Sequence, residues 1–295
     1  MKKIGICGTG LMGATMAQIF AEKGYETRIY GRTEASLERG KKIITLDEGV
    51  PLYYTTWLED LGKCDIIIES IVENLAVKQE FFERLSKIVG AETILATNTS
   101  GLSINRIGER VHGKERFLGM HWFNPSNLIP LIEIICNDKT EQKYVDEVYA
   151  LAKAIDKKPV ICRQDVPGFI ANRVQFAVLR ECMDIVEKGI ATAEDVDAVM
   201  KYGLGFRYAA YGPFEVADFG GLDTFYHISE YLNADLCDVK EPQGIIRNLY
   251  EQGFYGVKNG RGFYDYSNGK GEKAVKIRNR KFKDMKDCLD KWEEY

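Results

Sequence analysis

The sequence has few of the residues that mark disulfide-bonded or zinc-binding proteins. Its seven cysteines are scattered among 295 residues and include no C-x-x-C pair. Isolated thiols of this kind are typical of a reducing compartment, and they argue against a disulfide framework or a zinc site. We therefore expect a cytoplasmic protein with no metal.

Long apolar runs and strong net charge are missing as well. No apolar run reaches the ~18 residues that a membrane span needs, and a strand-like segment at residues 3–7 stands where a secretion signal would begin. The formal net charge of −4 argues against a general binder of nucleic acids or membrane surfaces. We expect a small molecule as the partner, with no nucleic acid and no membrane.

The first half of the chain alternates short β-rich runs with helical patterns, which is typical of βαβ units around a parallel sheet. Helices are predicted at residues 11–23 and 75–89, because apolar residues recur there at i, i+3 and i+4. Strands are predicted at residues 3–7, 27–30, 65–68, 93–96, 117–120 and 131–135, with a last strand after residue 158.

The second half is predicted to be helical. A long periodic segment covers residues 169–188, and Thr192 with Asp195 predicts the cap of a helix that runs to Tyr202. The Gly/Lys-rich residues 268–273 are expected to form a flexible loop before a final amphipathic helix. The sequence therefore predicts an α/β domain over residues 1–164, followed by an all-α domain over residues 165–295.

A glycine-rich motif follows the first strand and opens the first helix. Gly8 permits a tight turn, Gly10 lets the backbone approach a pyrophosphate, and Gly13 permits close packing of the helix. The helix N-terminus offers free N–H donors, and Leu11 and Met12 complete the motif. In this context the motif predicts a Rossmann-like dinucleotide site rather than a plain glycine-rich turn.

The second strand lacks the acidic residue that commonly holds the adenosine ribose of NAD. It ends instead in Tyr30, Gly31, Arg32 and Thr33. A carboxylate here would repel a 2′-phosphate, whereas Gly31 leaves room, Arg32 can pair with the phosphate and Thr33 adds a donor. We predict NADP as the cofactor. The alternative is NAD, with Arg32 as a solvated residue.

Three polar residues lie within or shortly after apolar, strand-like runs: Ser100, His121 and Glu133. In open α/β sheets the ligand crevice lies outside the carboxyl ends of the strands, so these side chains are expected to converge. A glutamate held against one imidazole nitrogen leaves the other free to take a proton from a substrate hydroxyl. We predict that His121 and Glu133 form a general base.

These ordered blocks, which run from Gly5 to about Tyr266, resemble the 3-hydroxyacyl-CoA dehydrogenase family. The resemblance implies a Rossmann-like N-terminal domain, a helical C-terminal domain that forms a homodimer, and reversible oxidation of an L-3-hydroxyacyl thioester. It is carried by the segments G-T-G-L-M-G, S-I-V-E-N-L-A-V-K, A-T-N-T-S-G-L-S-I, G-M-H-W-F-N-P, D-V-P-G-F-I-A-N-R, G-P-F-E-V-A-D-F-G-G-L-D and G-R-G-F-Y-D-Y.

The resemblance also implies residue roles. His121 is the general base, Glu133 orients it, and Ser100 and Asn172 donate hydrogen bonds near the reacting oxygen. Glu69 is interpreted as a packing or solvent-facing residue. Three further motif residues are expected to line the crevice for nicotinamide and substrate: Glu73, Lys78 and Asn98.

Several features depart from the family pattern. Family members carry a long basic helical hairpin between the second and third strands that helps to hold CoA, and residues 34–56 leave little room for it. Residues 203–208 resemble relatives that oxidise free hydroxy acids, such as gulonate and carnitine dehydrogenases, in which Arg207 could bind a substrate carboxylate. A surface or interface role for Arg207 fits the sequence equally. Gly101 and Trp122 replace a serine and a phenylalanine, and they are expected to reshape the acyl pocket.

Three hypotheses about function follow. The first is an NADP-preferring dehydrogenase of a short-chain 3-hydroxyacyl-CoA, and the second is the same hydride chemistry on a 3-hydroxy acid without CoA. The third is a dinucleotide-binding protein without catalysis, which the set of polar residues disfavours because a binder needs no poised base. The tail after residue 266 is expected either to dock on a dimer partner or to cover the cleft.

Overall fold

The computed structural model describes residues 2–292. The chain divides into two compact units, residues 1–173 and 174–295. In the described part of the chain, no helix is both long and apolar enough to cross a bilayer.

A single sheet of eight strands forms the centre of the first unit. The strands are β1 (Ile4–Cys7), β2 (Thr27–Tyr30), β3 (Leu52–Thr55), β4 (Ile66–Glu69), β5 (Ile94–Thr97), β6 (Phe117–Trp122), β7 (Leu131–Cys136) and β8 (Lys158–Cys162). They lie in the order β3-β2-β1-β4-β5-β6-β7-β8. The order reverses beside β1, which creates the crevice where doubly wound sheets bind ligands. The predicted Rossmann-like fold is confirmed.

The strands follow the predicted positions within one or two residues, with two differences. β3 was not predicted, because this edge strand reads L-Y-Y-T and leaves Tyr53 exposed, so it has no buried apolar run. β7 is antiparallel to β6, whereas the other neighbouring strands pair in parallel. The alternating pattern of strands and helices does not reveal that reversal.

Helices cover both faces of the sheet. α1 (Leu11–Glu22) and α5 (Gln142–Ala154) pack on one face, where Phe20 and Val148 are buried against the strands. α3 (Leu75–Ile88) and α4 (Ile104–Ile107) cover the other face, where Phe82 and Ile104 are buried. Between β2 and β3 lie one short helix, α2 (Glu34–Lys41), and a connection over residues 42–51. Short 3₁₀ turns occupy Leu58–Lys63, Gly108–Arg110 and Lys114–Arg116.

The unit boundary falls inside α6 (Ala171–Glu187), after the boundary that the sequence predicts at residue 164. The second unit is helical, as predicted, and contains no strand through residue 292. After α6 come α7 (Ala193–Val199), a π turn (Met200–Leu204), α8 (Gly205–Ala210), α9 (Pro213–Gly220), α10 (Leu222–Leu232), α11 (Gly244–Glu251) and α12 (Lys270–Trp292).

Two predictions made from short sequence patterns concern the beginnings of α7 and α12. Thr192 and Asp195 form the predicted reciprocal cap of α7. The loop predicted at residues 268–273 is wrong in part, because α12 begins at Lys270. Only Asn268 and Gly269 adopt positive φ, 53° and 79°, so the chain leaves the turn and enters the helix directly after them.

The second unit exposes many aromatic side chains. From α7 to α11 no residue within the helices is buried, and Tyr202 and Phe214 are 83% and 86% exposed. Soluble monomers rarely expose large contiguous apolar surfaces. The apolar side chains of these helices therefore do not form a closed core within one copy of the chain.

Candidate active site

The structure brings His121 and Glu133 together across β6 and β7. The two residues are direct register partners, and His121 Nδ1 lies 2.8 Å from Glu133 Oε2. His121 is 5% exposed and Glu133 is fully buried. Glu133 is the third residue of β7 and lies inside the strand that the sequence predicts at residues 131–135. It meets His121 because β7 runs antiparallel to β6, which sets the beginning of β7 beside the end of β6.

The second oxygen of Glu133 binds the beginning of α6. Oε1 accepts hydrogen bonds from the backbone N–H groups of Ile170 and Ala171, at 2.9 and 2.8 Å. Burial raises the pKa of Glu133, but the hydrogen bonds from His121, Ala171 and Ile170 outweigh it and leave the pKa below its ordinary value. The carboxylate therefore stays ionised at neutral pH.

An ionised Glu133 fixes which nitrogen of His121 carries the proton. Because the carboxylate only accepts hydrogen bonds, Nδ1 is the donor, and Nε2 of the neutral ring presents a lone pair. The rings of Phe123 and Phe169 lie 4.5 and 5.9 Å from the imidazole, centroid to centroid. The arrangement can accept a proton at Nε2 while the carboxylate stabilises the resulting imidazolium.

Phe169 is a residue of this site that the sequence analysis missed. It is buried and adopts a positive φ of 49°, an uncommon conformation for an aromatic residue. It directly precedes the two N–H groups that bind Glu133. The sequence signal for it is its position after Pro167 and Gly168.

Ser100 and Asn172 are joined, but not through the serine hydroxyl. Asn172 Nδ2 donates to the backbone carbonyl of Ser100 at 2.9 Å. The Ser100 N–H and the Thr99 hydroxyl both donate to Glu73 Oε1, at 3.2 and 2.5 Å. The exposed Ser100 therefore lies on a loop that is held from α6 on one side and by Glu73 on the other.

Lys78 and Glu69 form a buried ion pair. Lys78 is 1% exposed, and its Nζ lies 2.5 Å from Glu69 Oε1 and 3.3 Å from Glu73 Oε2. Glu69 is fully buried, so of the two expected roles, packing or solvent-facing, the solvent-facing role is wrong. Sequence reasoning missed the pair because Glu69 follows three apolar residues of a buried strand, where an ion is costly unless a partner from another element neutralises it.

Asn98 connects three strands at their carboxyl ends. Its N–H donates to the carbonyl of Glu69, its Oδ1 accepts from the N–H of Trp122, and its Nδ2 donates to Ser70 Oγ. Trp122 is buried against Phe20 of α1, on the opposite face of β6 from His121. Because side chains alternate along a strand, Trp122 does not contact the imidazole of His121 from its place in β6, and its expected effect on the acyl pocket stays a prediction.

The glycine-rich turn has the shape that a dinucleotide requires. Gly8 adopts a φ of 118°, and a Cβ there would meet the carbonyl of Ser70 at 2.2 Å. A Cβ on Gly13 would meet the carbonyl of Gly8 at 2.0 Å, so only glycine lets α1 approach the turn this closely. No atom lies within 4 Å of a Cβ placed on Gly10, and no side chain caps α1, so a pyrophosphate fits between the turn and the helix N-terminus.

A cavity of about 710 Å³ adjoins this turn, within the range of ligand pockets. Three arginines line it: Arg32, Arg39 from α2 and Arg84 from α3. Burial raises the pKa of the Tyr30 hydroxyl, which lies in the same cavity, and the positive charges of Arg84 and Arg32 act in the opposite direction. Arg39 and Arg84 were missed because they come from helices far apart in the sequence.

Gly31 and Thr33 have local structural roles in this cavity. A Cβ on Gly31 would lie 2.6 Å from Ser36 Oγ and 2.9 Å from a methyl group of Thr9, so packing against α2 already fills the space. This differs from the expectation that Gly31 leaves room for a phosphate. Thr33 Oγ1 accepts the N–H of Ser36 and caps α2, although its hydroxyl proton can still be donated.

Arg207 and the two histidines other than His121 lie as follows. Arg207 is exposed on α8 of the second unit. His227 pairs with Glu230 on the exposed surface of α10, and the backbone N–H of His112 donates to Ser86 Oγ. Within residues 2–292, no three His, Cys, Asp or Glu side chains cluster in a way that could hold a metal ion.

Comparison with known families covers almost the whole chain. Residues 3–166 match the NAD binding domain of 3-hydroxyacyl-CoA dehydrogenase, and residues 168–266 match its C-terminal domain. The chain belongs to the 3-hydroxyacyl-CoA dehydrogenase family. The resemblance predicted from the sequence is confirmed, and the protein is an oxidoreductase of this family.

Similar members of the family act on different substrates. The 5-formyl-3-hydroxy-2-methylpyridine 4-carboxylate 5-dehydrogenase of Mesorhizobium japonicum is 33% identical over 89% of this chain and 90% of its own length. A probable 3-hydroxybutyryl-CoA dehydrogenase of Deinococcus radiodurans is 35% identical over 88% of this chain and 98% of its own. A crystal structure of the pyridine-carboxylate enzyme, described as an NAD⁺-dependent dismutase, aligns with a TM-score of 0.91 over 98% of this chain and 99% of its own, at 31% identity.

Replacing Glu133 with glutamine is expected to make stability less sensitive to acid. Because the pKa of Glu133 is lowered in the folded protein, its carboxylate stabilises the fold above the ordinary glutamate pKa, and this stabilisation is lost as the pH falls through the lowered value. Thermal unfolding from neutral pH to about pH 3 should therefore show a steeper fall in Tm for the wild type than for Glu133→Gln. The exposed Glu48→Gln should follow the wild type. If Tm fell equally with pH in Glu133→Gln and in the wild type, the result would contradict a lowered pKa for Glu133.

Proposed function

We propose that the protein is a nicotinamide-dependent dehydrogenase in which His121 exchanges a proton with the reacting oxygen of the substrate. The observation that carries this proposal is the buried His121–Glu133 pair, whose carboxylate is also held by two N–H groups of the α6 start. A glutamate with only a packing role would not require an ionised side chain with three donors in a buried site. The non-catalytic hypothesis gives no reason for this arrangement.

The chemistry follows from the geometry of the pair. A bound nicotinamide supplies the site that accepts or returns hydride. As hydride leaves the carbinol carbon, the substrate hydroxyl loses its proton to His121 Nε2, and Glu133 stabilises the imidazolium. In the reverse direction the imidazolium returns that proton to the developing alkoxide. Ser100 and Asn172 are proposed to donate hydrogen bonds to the same oxygen, as the family resemblance implies.

His121→Gln should retain nucleotide binding and lose turnover. Removing a general base typically lowers kcat by about 10²–10⁴-fold, and binding of NADPH or NADH, followed by its fluorescence, should change little. The control is His112→Gln, since that side chain is exposed. A loss of less than about tenfold in kcat for His121→Gln would remove the base assignment.

We propose that the substrate is a small hydroxy or carbonyl compound with a free carboxylate. The connection between β2 and β3 contains only α2 and residues 42–51, so it offers no helical hairpin of the kind that helps relatives to hold CoA. The similarity to the pyridine-carboxylate dehydrogenase, over nearly the whole length of both chains, supports the same view. We propose Arg207 as a ligand for the substrate carboxylate, because an exposed guanidinium can bind it bidentately.

A short-chain 3-hydroxyacyl-CoA is the second candidate substrate. It is supported by the family motifs that surround Ser100, His121 and Asn172, and by the similarity to 3-hydroxybutyryl-CoA dehydrogenases. The chemistry at the carbinol carbon is the same for both candidates. They differ in whether the rest of the substrate is a carboxylate or a CoA thioester.

A substrate panel separates the two candidates. We expect kcat/KM to be higher for a free acid than for acetoacetyl-CoA. The free acids in the panel are acetoacetate, 3-dehydro-gulonate and 5-formyl-3-hydroxy-2-methylpyridine 4-carboxylate.

Arg207→Ala should raise KM for the preferred acid about tenfold or more, since a charge-assisted pair is lost. The exposed Arg280→Ala is the control. Turnover of acetoacetyl-CoA alone would select the thioester, and an unchanged KM would exclude Arg207 from substrate binding.

We propose NADP as the cofactor, with Arg32, Arg39 and Arg84 around its 2′-phosphate. The proposal is supported by the three guanidinium groups that line one cavity beside the glycine-rich turn, where the ribose-binding acid of NAD enzymes is missing. The remaining motif residues, Leu11 and Met12, would present backbone N–H groups to the pyrophosphate. NAD is the alternative cofactor, because the pyridine-carboxylate dehydrogenase, whose crystal structure is similar to this chain, is NAD⁺-dependent.

The cofactor proposal predicts an asymmetric effect of Arg32→Ala. KM for NADPH should rise about tenfold or more, because charge-assisted hydrogen bonds to the phosphate are lost, and KM for NADH should stay the same. Arg110→Ala, an exposed arginine outside the cavity, should change neither value. A wild-type kcat/KM for NADH equal to or above that for NADPH would exclude the NADP preference.

We propose that residues 165–295 form a dimerisation domain and that the protein is a homodimer. The exposed aromatic side chains of α7 to α11 support this proposal, since a second copy would cover surface that one copy leaves in water.

We also propose a cytoplasmic location, as expected from the sequence. The cysteines are all free thiols, which supports it.

A further inference from the structure

We infer that the buried Glu69–Lys78 pair is a positioning device for the catalytic loop. It acts through Glu73, which holds the loop that carries Ser100. The inference rests on the proposed function, because the loop matters for activity only if His121 exchanges a proton with the substrate as proposed. In this view Lys78 does not act on the substrate directly, although the sequence places it among the residues that line the crevice.

The pair is fixed from several elements. Glu69 at the end of β4 accepts hydrogen bonds from Lys78 Nζ, from the Ile71 N–H at 2.6 Å and from Thr97 Oγ1 of β5 at 2.7 Å. Glu69 is fully buried and Lys78 is 1% exposed. Removing two charges from water is costly, and replacing such a pair with apolar residues is often neutral or stabilising. Stability alone therefore does not explain this pair.

Glu73 connects the pair to the loop. Its Oε2 lies 3.3 Å from the ammonium of Lys78, while its Oε1 accepts the Thr99 hydroxyl and the Ser100 N–H. The Glu73 side chain is 44% exposed. A half-exposed carboxylate would otherwise exchange between solvent and several rotamers, and the fixed ammonium of Lys78 selects the rotamer that reaches the loop.

The path then continues to the general base through α6. The Ser100 carbonyl accepts Asn172 Nδ2, and the preceding residue, Ala171, donates its N–H to Glu133. Two consecutive residues of one helix thus hold the Ser100 loop and the carboxylate that orients His121. Ion pairs, hydrogen bonds and the peptide bond between Ala171 and Asn172 form a continuous path from Glu69 to His121, all within the first unit.

The test compares the buried Glu69–Lys78 pair with an exposed pair on α3, the helix that carries Lys78. Glu69→Gln alone leaves the buried ammonium of Lys78 without the Glu69 carboxylate, so it should lower Tm. Glu69→Gln/Lys78→Met removes both buried charges, so its Tm should return most of the way to that of the wild type. kcat at saturating substrate and nucleotide should nevertheless stay about tenfold or more below wild type, because Glu73 lacks its ammonium partner. Glu83→Gln/Lys87→Met removes an exposed pair of α3 and should stay within about twofold of wild type.

Amide hydrogen exchange at Ser100 gives a readout that does not need turnover. The Ser100 N–H is donated to Glu73, so its exchange should become about tenfold faster in Glu69→Gln/Lys78→Met and stay unchanged in the Glu83/Lys87 control. A wild type that turned over none of the proposed substrates would overturn the proposed function, while this exchange measurement would still test the positioning path.

Two results would overturn the inference. One is a double variant with recovered Tm and a kcat within about threefold of wild type. The other is unchanged exchange at Ser100. Should the double variant fail to fold, Glu73→Ala decides the matter, because it leaves the buried pair intact and removes the acceptor that holds the loop. Unchanged Ser100 exchange in Glu73→Ala overturns the inference, and faster exchange with lower kcat supports it.

Discussion

The structure of the site depends on one buried carboxylate. Glu133 receives three N–H donors, from His121 and from the start of α6. A buried carboxylate with fewer donors would protonate, and the imidazole would then lose the partner that fixes its tautomer. The same contacts join β6, β7 and α6, so the geometry of the His121–Glu133 pair and the beginning of α6 are set together.

A second constraint acts at the nucleotide end, where it is steric rather than electrostatic. Backbone atoms approach so closely at Gly8 and Gly13 that a side chain on either residue would overlap a carbonyl. This packing brings the N-terminus of α1 to the crevice beside β1, where its free N–H groups favour an anion. The arginines around the adjoining cavity extend the same positive region, and they are the physical basis for the proposed 2′-phosphate site.

The proposed reaction and the proposed substrate preference depend on different parts of the chain. His121, Glu133 and the loop that carries Ser100 lie in the first unit, within the residues that match the NAD binding domain of the family. The proposal of a free-acid substrate rests on two other segments, the short β2–β3 connection and Arg207 of α8. Such a division lets one hydride-transfer site serve different substrates, because fold and reacting groups persist while peripheral segments set specificity.

The sequence by itself determined the Rossmann-like and helical parts, most strand and helix positions, the glycine-rich turn and the identity of His121 and Glu133 as a pair. These features depend on local periodicity, on backbone requirements of glycine and on motifs, all of which are written in neighbouring residues. Only the tertiary structure decided the reversal of β7, the burial of Glu69 against Lys78, and the grouping of Arg32 with Arg39 and Arg84. Each of these joins residues from separate elements, and periodicity within one segment carries no information about the direction or identity of its spatial neighbours.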